Sequence, residues 1–252
     1  MLENTTVLVT GASRGLGAAI AKAAHRSGAR VVINYYQSAQ AAHQLADNLG
    51  ARAIAIQADI REQAQVNEMV RQASEWAKGP VQALVNNALV DYRFNGDGRT
   101  LLPALRWTAL HNQLEGSVRA SLHTIQACQP GMAAGGGGAV VNIGTNLFQH
   151  PVVPYHDYTV AKGALLALTR TAAKELGGQG IRVNMVSGGL LRTTDASAAT
   201  PPEVFDYIAS QTPLGHVTTP EEMADAVLLM LSPLARGVTG QNIVVDGGLV
   251  MN

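Results

Sequence analysis

"TVLVTGASRGLG", residues 6–17, passes from a short β-branched run through a glycine cluster into the alanine-rich pattern "AAIAKAAHR". The run at 6–10 reads as a strand, and the alanine-rich continuation reads as a helix over 15–27. Between them, Gly11, Gly15 and Gly17 allow a tight strand-to-helix turn, because glycine has no Cβ to obstruct a backbone that comes close to a ligand. The start of a helix adds N–H groups without intrahelical partners and a partial positive charge. A glycine cluster alone is weak evidence, but placed after a first strand it predicts a cradle for a pyrophosphate.

Working outward, further β-branched runs lie at 30–35, 53–58, 83–87, 139–143, 181–186 and 242–246. Helix-like segments lie near 38–49, 62–78, 105–129, 157–177 and 220–232. Strands that alternate with helices imply parallel pairing, since parallel neighbours need crossovers and both sheet faces must be covered. The predicted fold is a single α/β domain over 1–252, with a doubly wound parallel sheet of about seven strands and helices on both faces. Two irregular segments, 89–104 after the fourth strand and 188–211 after the sixth, leave the carboxyl ends of strands. Ligands bind there in such sheets, so both segments are predicted to wall a substrate pocket. The glycine-rich patch at 133–138 reads as a connection between a helix and a strand.

Composition narrows the function classes. Lys plus Arg and Asp plus Glu are balanced at 18 each, without a basic stripe, which argues against a nucleic-acid partner. The single cysteine, Cys128, excludes an internal disulfide and fits a reducing compartment. Neither a signal-like start nor a run of about 18 apolar residues is present, so the expectation is a cytoplasmic protein with no membrane partner.

The turn has the spacing Thr-Gly-x-x-x-Gly-x-Gly, and further along stand Ala58-Asp59, "NNA" at 86–88, Tyr158-x-x-x-Lys162, "RVN" at 182–184 and "TGQNIVVDGG" at 239–248. On these motifs, which span nearly the whole chain, the sequence resembles the short-chain dehydrogenase/reductase family, whose fold is Rossmann-type. Within it the pattern is most similar to the 3-oxoacyl-carrier-protein reductases. The resemblance implies a nicotinamide dinucleotide held by Gly11, Ser13, Arg14, Gly15, Leu16 and Gly17. It places Asp59 and Ile60 at the adenine, Asn87 and Ala88 at a cofactor ribose, and Leu191 and Thr193 at the nicotinamide. A homotetramer is also implied.

The choice of cofactor is read at the end of the second strand. A carboxylate there would bond the ribose hydroxyls of NAD(H) and repel a 2′-phosphate. The residues present are Asn34, Tyr35, Tyr36, Gln37 and Ser38, none of them acidic. Arg14 in the turn can meet a 2′-phosphate through charge-assisted hydrogen bonds. NADP(H) is therefore expected over NAD(H), with Asn34, Tyr35 and Ser38 on the cofactor side.

Reduction of a carbonyl by hydride needs a group that delivers a proton to the developing alkoxide. Tyrosine, with a pKa of about 10, is too weak an acid by itself. Lys162 lies one helical turn beyond Tyr158, and an ammonium beside the phenol favours phenolate, as does the positive charge of an oxidised nicotinamide in the reverse reaction; together they predict a lowered Tyr158 pKa. The resemblance assigns Thr145 to the substrate carbonyl, where the family usually has serine. It assigns Gln113 to a water path, where the family usually has asparagine. Both substitutions keep the chemical group. Tyr155, three residues before Tyr158, is expected in the pocket wall.

Other departures concern the substrate. Leu89 stands where the family has glycine, Gly188 stands where it has proline, and the basic residues expected to dock an acidic carrier are missing. The expected partner is a small carbonyl compound, with an acyl thioester among the options. The helix beginning near 157 is apolar on more than one face, through Val160, Leu165, Leu166 and Leu168, with the small Gly163, Ala164 and Ala167 among them; this suggests burial against a second subunit. Two readings remain: an NADPH-dependent ketone reductase, or a catalytically silent NADP-binding sensor or partner subunit.

Overall fold

The computed structural model describes residues 1–90, 92 and 94–251. Asp91 and Arg93, inside the 89–104 segment, and Asn252 lie outside the described residues. Seven strands form one sheet in the order β3-β2-β1-β4-β5-β6-β7, with every neighbouring pair parallel. They are β1 (Thr6–Val9), β2 (Arg30–Tyr35), β3 (Ala53–Gln57), β4 (Ala83–Asn86), β5 (Gly138–Thr145), β6 (Ile181–Gly188) and β7 (Asn242–Val245). The doubly wound α/β architecture expected from the alternation is thus present. The central strands β1 and β4 are buried along their whole length, as strands covered on both faces must be.

The helices are α1 (Gly15–Arg26), α2 (Ala39–Leu49), α3 (Gln63–Ala77), α4 (Trp107–Leu114), α5 (Ala120–Ala134), α6 (His156–Leu176), α7 (Pro202–Gln211) and α8 (Pro220–Leu231). One apolar layer joins Ile20 and Ala24 of α1, Ala42 of α2 and Val227 of α8 to Val7 and Ile33. The opposite layer joins Met69 of α3, Cys128 and Met132 of α5 and Leu176 of α6 to Leu8 and Leu84. Alanines dominate the buried side of α1, which lets that helix lie close over β1 and β2. At the start of α8, Thr219 and Glu222 form a reciprocal capping box with Pro220 in the first turn, satisfying N–H groups that the helix cannot pair internally.

Two expectations change in detail. The predicted helix over 105–129 is α4 and α5 joined by a π-helical segment at Glu115–Arg119, and α5 continues to Ala134. Gly116 shows why the irregular turn sits there: an ideal Cβ on it would lie 2.7 Å from Val90 Cβ, so the segment approaches the chain leaving β4 more closely than a side chain would allow. The 188–211 segment includes α7, whose Phe205 is buried, so part of this predicted pocket wall is a packed helix.

A buried polar chain ties the middle of the sheet to the helices around the candidate site. Thr124 of α5 donates to Asn86 Oδ1, Asn86 donates to Asn142 Oδ1 on β5, and Asn142 donates to Thr169 on α6, at 2.6–2.8 Å. Each buried amide in the chain has a partner, as low dielectric surroundings demand. This fixes α6 against the end of β4 and the middle of β5.

Candidate active site

The glycine turn forms where β1 meets α1, beside the point at which the strand order reverses between β1 and β4. Gly11 has φ +60°, and an ideal Cβ there would lie 2.8 Å from Ala88 Cα. At Gly17 an ideal Cβ would lie 2.5 Å from the Gly11 carbonyl oxygen. Side chains are excluded at both places, so backbone lines the cradle. Arg14, at the N-cap of α1, makes no side-chain capping bond, and the first turn contains no carboxylate. These features suit an anionic diphosphate, so the residues present fit the pyrophosphate of a dinucleotide.

Neighbouring strand ends hold the turn in shape. Asn34 is buried, accepts from Gly11 N–H at 3.2 Å and donates to the Ala58 carbonyl at 3.1 Å. Its side chain therefore joins the turn to the end of β3. Asn87 donates to the carbonyls of Thr10 and Gly11, and the N–H groups of Asn87 and Ala88 both donate to the Thr10 hydroxyl. Thr10, which opens the glycine motif but was given no role from the sequence, thus organises the junction between β1 and β4.

Where β2 leads into α2, Arg14 Nη1 donates to the Ser38 hydroxyl at 3.4 Å, bringing together two residues expected at the cofactor. Tyr35 is buried and its hydroxyl meets His43 Nε2 of α2 at 3.2 Å. Asp59 accepts from Arg61 at 2.6–3.2 Å, and these hydrogen bonds hold its carboxyl below the usual range. Ile60 is buried beside it. Leu191 offers its carbonyl to the Ser197 hydroxyl at 2.8 Å. A Cβ built on Gly15 would lie 3.8 Å from Thr194 Cβ, so the chain around Thr193 and Thr194 runs alongside the phosphate turn. Ser13 and Leu16 stand within that turn and its first helical residues.

Thr145, Tyr158 and Lys162 converge at the carboxyl end of β5. Thr145 ends β5, while Tyr158 and Lys162 occupy one buried face of α6. All three are almost inaccessible, at 4%, 7% and 3% exposure, which makes the surroundings decisive for their protonation. The Thr145 side chain is hydrogen-bonded to the Tyr158 phenol. Lys162 Nζ donates to the Ile143 carbonyl at 2.7 Å and lies 5.8 Å from the centre of the Tyr158 ring.

The residues of this chain do not by themselves lower the Tyr158 pKa in the way that the spacing to Lys162 suggested. Burial pushes the phenol up to about 12, opposed by the hydrogen bond with Thr145, and burial pulls Lys162 down to about 8. The lysine donates to a backbone carbonyl, and desolvation outweighs the attraction that residue spacing alone suggested. Gln113 is buried and donates to the Val90 carbonyl at 3.3 Å, anchoring the chain that follows β4.

That chain supplies the feature which sequence reasoning missed. Tyr92 stacks on Tyr158, with centroids 5.0 Å apart and planes at 25°. Phe94 meets Tyr158 edge-on at 5.1 Å, and Tyr155 packs against both Tyr92 and Phe94. The Tyr92 hydroxyl donates to Asp157 Oδ1 at 3.3 Å, and burial followed by the Asp157 charge pushes the Tyr92 pKa upward. Gly96 N–H donates to the Tyr155 hydroxyl at 2.8 Å. Aromatic residues in the 89–104 segment were the available signal, but an irregular segment has no periodicity to tell which rings turn inward.

Among the described residues, no group of three or more His, Cys, Asp or Glu could hold a metal ion, and no helix is long and apolar enough to cross a membrane. The family model described as Enoyl-(Acyl carrier protein) reductase matches residues 11–250. An uncharacterized oxidoreductase of Methylorubrum extorquens is 34% identical over 253 residues, covering 98% of each chain. The 3-oxoacyl-(acyl-carrier-protein) reductase FabG of Staphylococcus epidermidis is 30% identical over 251 residues, covering 98% of this chain and all of that one. A solved dehydrogenase/reductase from Sinorhizobium meliloti matches with a TM-score of 0.87 at 29% identity, covering 99% of this chain and 96% of the other.

Proposed function

The chain belongs to the short-chain dehydrogenase/reductase family and is an NAD(P)-dependent oxidoreductase, and from that premise we propose that it reduces a ketone to a secondary alcohol with NADPH. The observation that carries this reading is the convergence of Thr145, Tyr158 and Lys162, all buried, at the carboxyl end of β5, on the same edge of the parallel sheet as the glycine turn. The reduced nicotinamide, when bound, supplies the hydride. Thr145 and Tyr158 hold the carbonyl oxygen by hydrogen bonds, and Tyr158 gives its proton to that oxygen as the alcohol forms. Burial keeps the phenol protonated before the reaction but also makes it a weaker acid, so its proton transfer to the forming alkoxide depends on stabilisation of the phenolate. Lys162 stabilises the phenolate left behind, and Gln113 supports the path by which the proton is replaced.

Arg14 and Ser38 support the preference for NADPH, since their side chains meet at the end of β2 where a carboxylate would disfavour a 2′-phosphate. The substrate is a 3-oxoacyl-type compound or a related small carbonyl. The staphylococcal relative is named for the reduction of a 3-oxoacyl group on an acyl-carrier protein. Assembly as a homotetramer is supported by α6, where Val160 is half exposed and the space beyond Gly163 is open. The test is oxidation of NADPH and NADH with 3-oxoacyl esters, thioesters and diketones, alongside a cofactor titration. Turnover favouring NADPH is expected; tight NADPH binding with no turnover on any of these compounds would favour the silent binding protein.

A further inference from the structure

Two guanidiniums, those of Arg14 and Arg61, flank the chain that leaves β2. Arg14 reaches Ser38, while Arg61, four residues past the end of β3, has its Cζ 5.6 Å from the centre of the Tyr36 ring. Arg61 also clasps Asp59: its Nε donates to Oδ1 at 2.9 Å, its Nη2 to Oδ2 at 2.6 Å, and its backbone N–H to Oδ1 at 3.0 Å. One planar guanidinium thus bonds both carboxylate oxygens. These bonds hold the Asp59 carboxyl below its usual range, so it is ionised at neutral pH.

The pair stands beside the glycine turn. Asn34 accepts the Gly11 N–H and donates to the carbonyl of Ala58, the residue before Asp59. In a doubly wound sheet the chain following the second strand meets the ribose of a dinucleotide, where a 2′-phosphate distinguishes NADP(H) from NAD(H). Across the stretches that meet here, residues 11–17, 36–38 and 58–61, Asp59 is the one carboxylate. The Arg119 pKa is raised by Glu115 first and by Glu62 as well, which places the next acid, Glu62, towards α5. As a support of the fold the Asp59–Arg61 pair adds little, since Arg61 is one-third exposed and ion pairs open to water contribute weakly. Its effect on a neighbouring anion is larger, because it decides whether Asp59 presents a net charge.

Building on the cofactor reading above, we propose that Arg61 is a positioning residue that sets the preference for NADPH over NADH: it holds Asp59 in a neutral pair, so that no net negative charge stands beside the 2′-phosphate. Without Arg61, Asp59 is ionised and uncompensated, and it repels the extra phosphate. NADH carries two fewer negative charges and is repelled less. Arg14 attracts the phosphate directly, and Arg61 removes the opposition to it.

The test titrates the full-length protein with NADPH and with NADH at low ionic strength, following nicotinamide fluorescence, and reads the ratio of the two dissociation constants. Arg61→Met removes the charge and keeps an unbranched side chain. It should lower the preference for NADPH about five- to tenfold, the scale of repulsion between a carboxylate and a phosphate dianion about 10 Å apart in partly solvated surroundings. Arg61→Lys retains a cation and should leave the ratio within about twofold of the parent. Adding Asp59→Asn to Arg61→Met removes the repelling charge and should bring the ratio back to the same range. A purely structural loss weakens both cofactors alike and leaves the ratio alone. An unmoved ratio in Arg61→Met would overturn the proposal. So would a ratio that stays low in the double variant, because Arg61 would then act on the phosphate itself. The parent protein's own ratio is scored separately: tighter binding of NADH counts against the NADPH reading, while the change between variants still decides the role of Arg61.

Discussion

Replacing Gly17 by alanine tests the phosphate turn at its tightest point. An ideal Cβ at this position falls 2.5 Å from the Gly11 carbonyl oxygen, 2.6 Å from Asn87 Nδ2 and 2.8 Å from Ala12 Cα. Comfortable separations are about 3.5 Å, so the turn must open by about 0.7–1 Å. Two of the three neighbours are backbone and cannot rotate away. Overpacking of this kind costs about 1–3 kcal/mol. Asn87 must also weaken its bonds to the carbonyls of Thr10 and Gly11, now 2.9 and 3.2 Å long, each with a net worth of about 1 kcal/mol. Alanine offsets about 1 kcal/mol through its better helix propensity. The balance is a loss of about 2–4 kcal/mol, or about 5–15 °C in Tm for a chain of this length. NADPH affinity should fall at least about tenfold as the N–H groups of the turn separate. Thermal unfolding followed by circular dichroism, with a parallel NADPH titration, measures both effects. Gly178→Ala is the matched control, because no atom lies within 4 Å of a Cβ built there, and its Tm should stay within about 2 °C. An unchanged Tm and unchanged NADPH affinity in Gly17→Ala would refute the close-approach reasoning.

Further outcomes follow from single side chains. Arg14→Ala should raise the KM for NADPH about 10- to 100-fold and barely change that for NADH, since a charge-assisted bond to the extra phosphate is worth about 1.5–3 kcal/mol; steady-state kinetics with both cofactors checks this. Thr145→Val removes the hydroxyl bonded to Tyr158 and should lower kcat by about 10²- to 10³-fold, whereas Thr145→Ser should retain most activity. Lys162 has a folded pKa lowered to about 8 by burial, so above that pH the unfolded chain binds the extra proton and stability contributed through this group rises until the unfolded value of about 10.4. Tyr158 and Cys128, both pushed up to about 12, act in the opposite direction, with stability falling as pH passes their unfolded values. The difference between the parent protein and Lys162→Met isolates the lysine. Urea unfolding should show the parent gaining about 2 kcal/mol relative to the variant between pH 8 and 10; a flat difference would contradict the buried, partly neutral lysine.

Much of this architecture is legible in the sequence because the signals are local. The β-branched runs alternate with helical periods, and Gly11, Gly15 and Gly17 stand where β1 must turn into α1. The four-residue spacing of Tyr158 and Lys162 puts both on one face of α6, and the end of β5 brings Thr145 to them. What escaped the sequence depends on distant contacts. The π-helical segment at Glu115–Arg119 is shaped by the approach of Gly116 to Val90. Asn34 and Thr10 serve as internal ties because neighbouring strand ends offer partners to them. The direction of the Tyr158 shift reversed because burial, a property of the folded surroundings, outweighed a lysine that donates to the Ile143 carbonyl. Tyr92 and Phe94 lie in an irregular segment, where neither a period of 2 nor one of 3.6 assigns a face.

The most direct test of the central claim is NADPH oxidation by the parent protein and Tyr158→Phe, with ethyl benzoylacetate and ethyl 3-oxononanoate as substrates and NADPH affinity measured for both proteins. The account predicts turnover in the parent, a loss of at least about 10³-fold in Tyr158→Phe, and similar NADPH affinity in the two. Turnover that survives removal of the phenol would contradict Tyr158 as the proton donor.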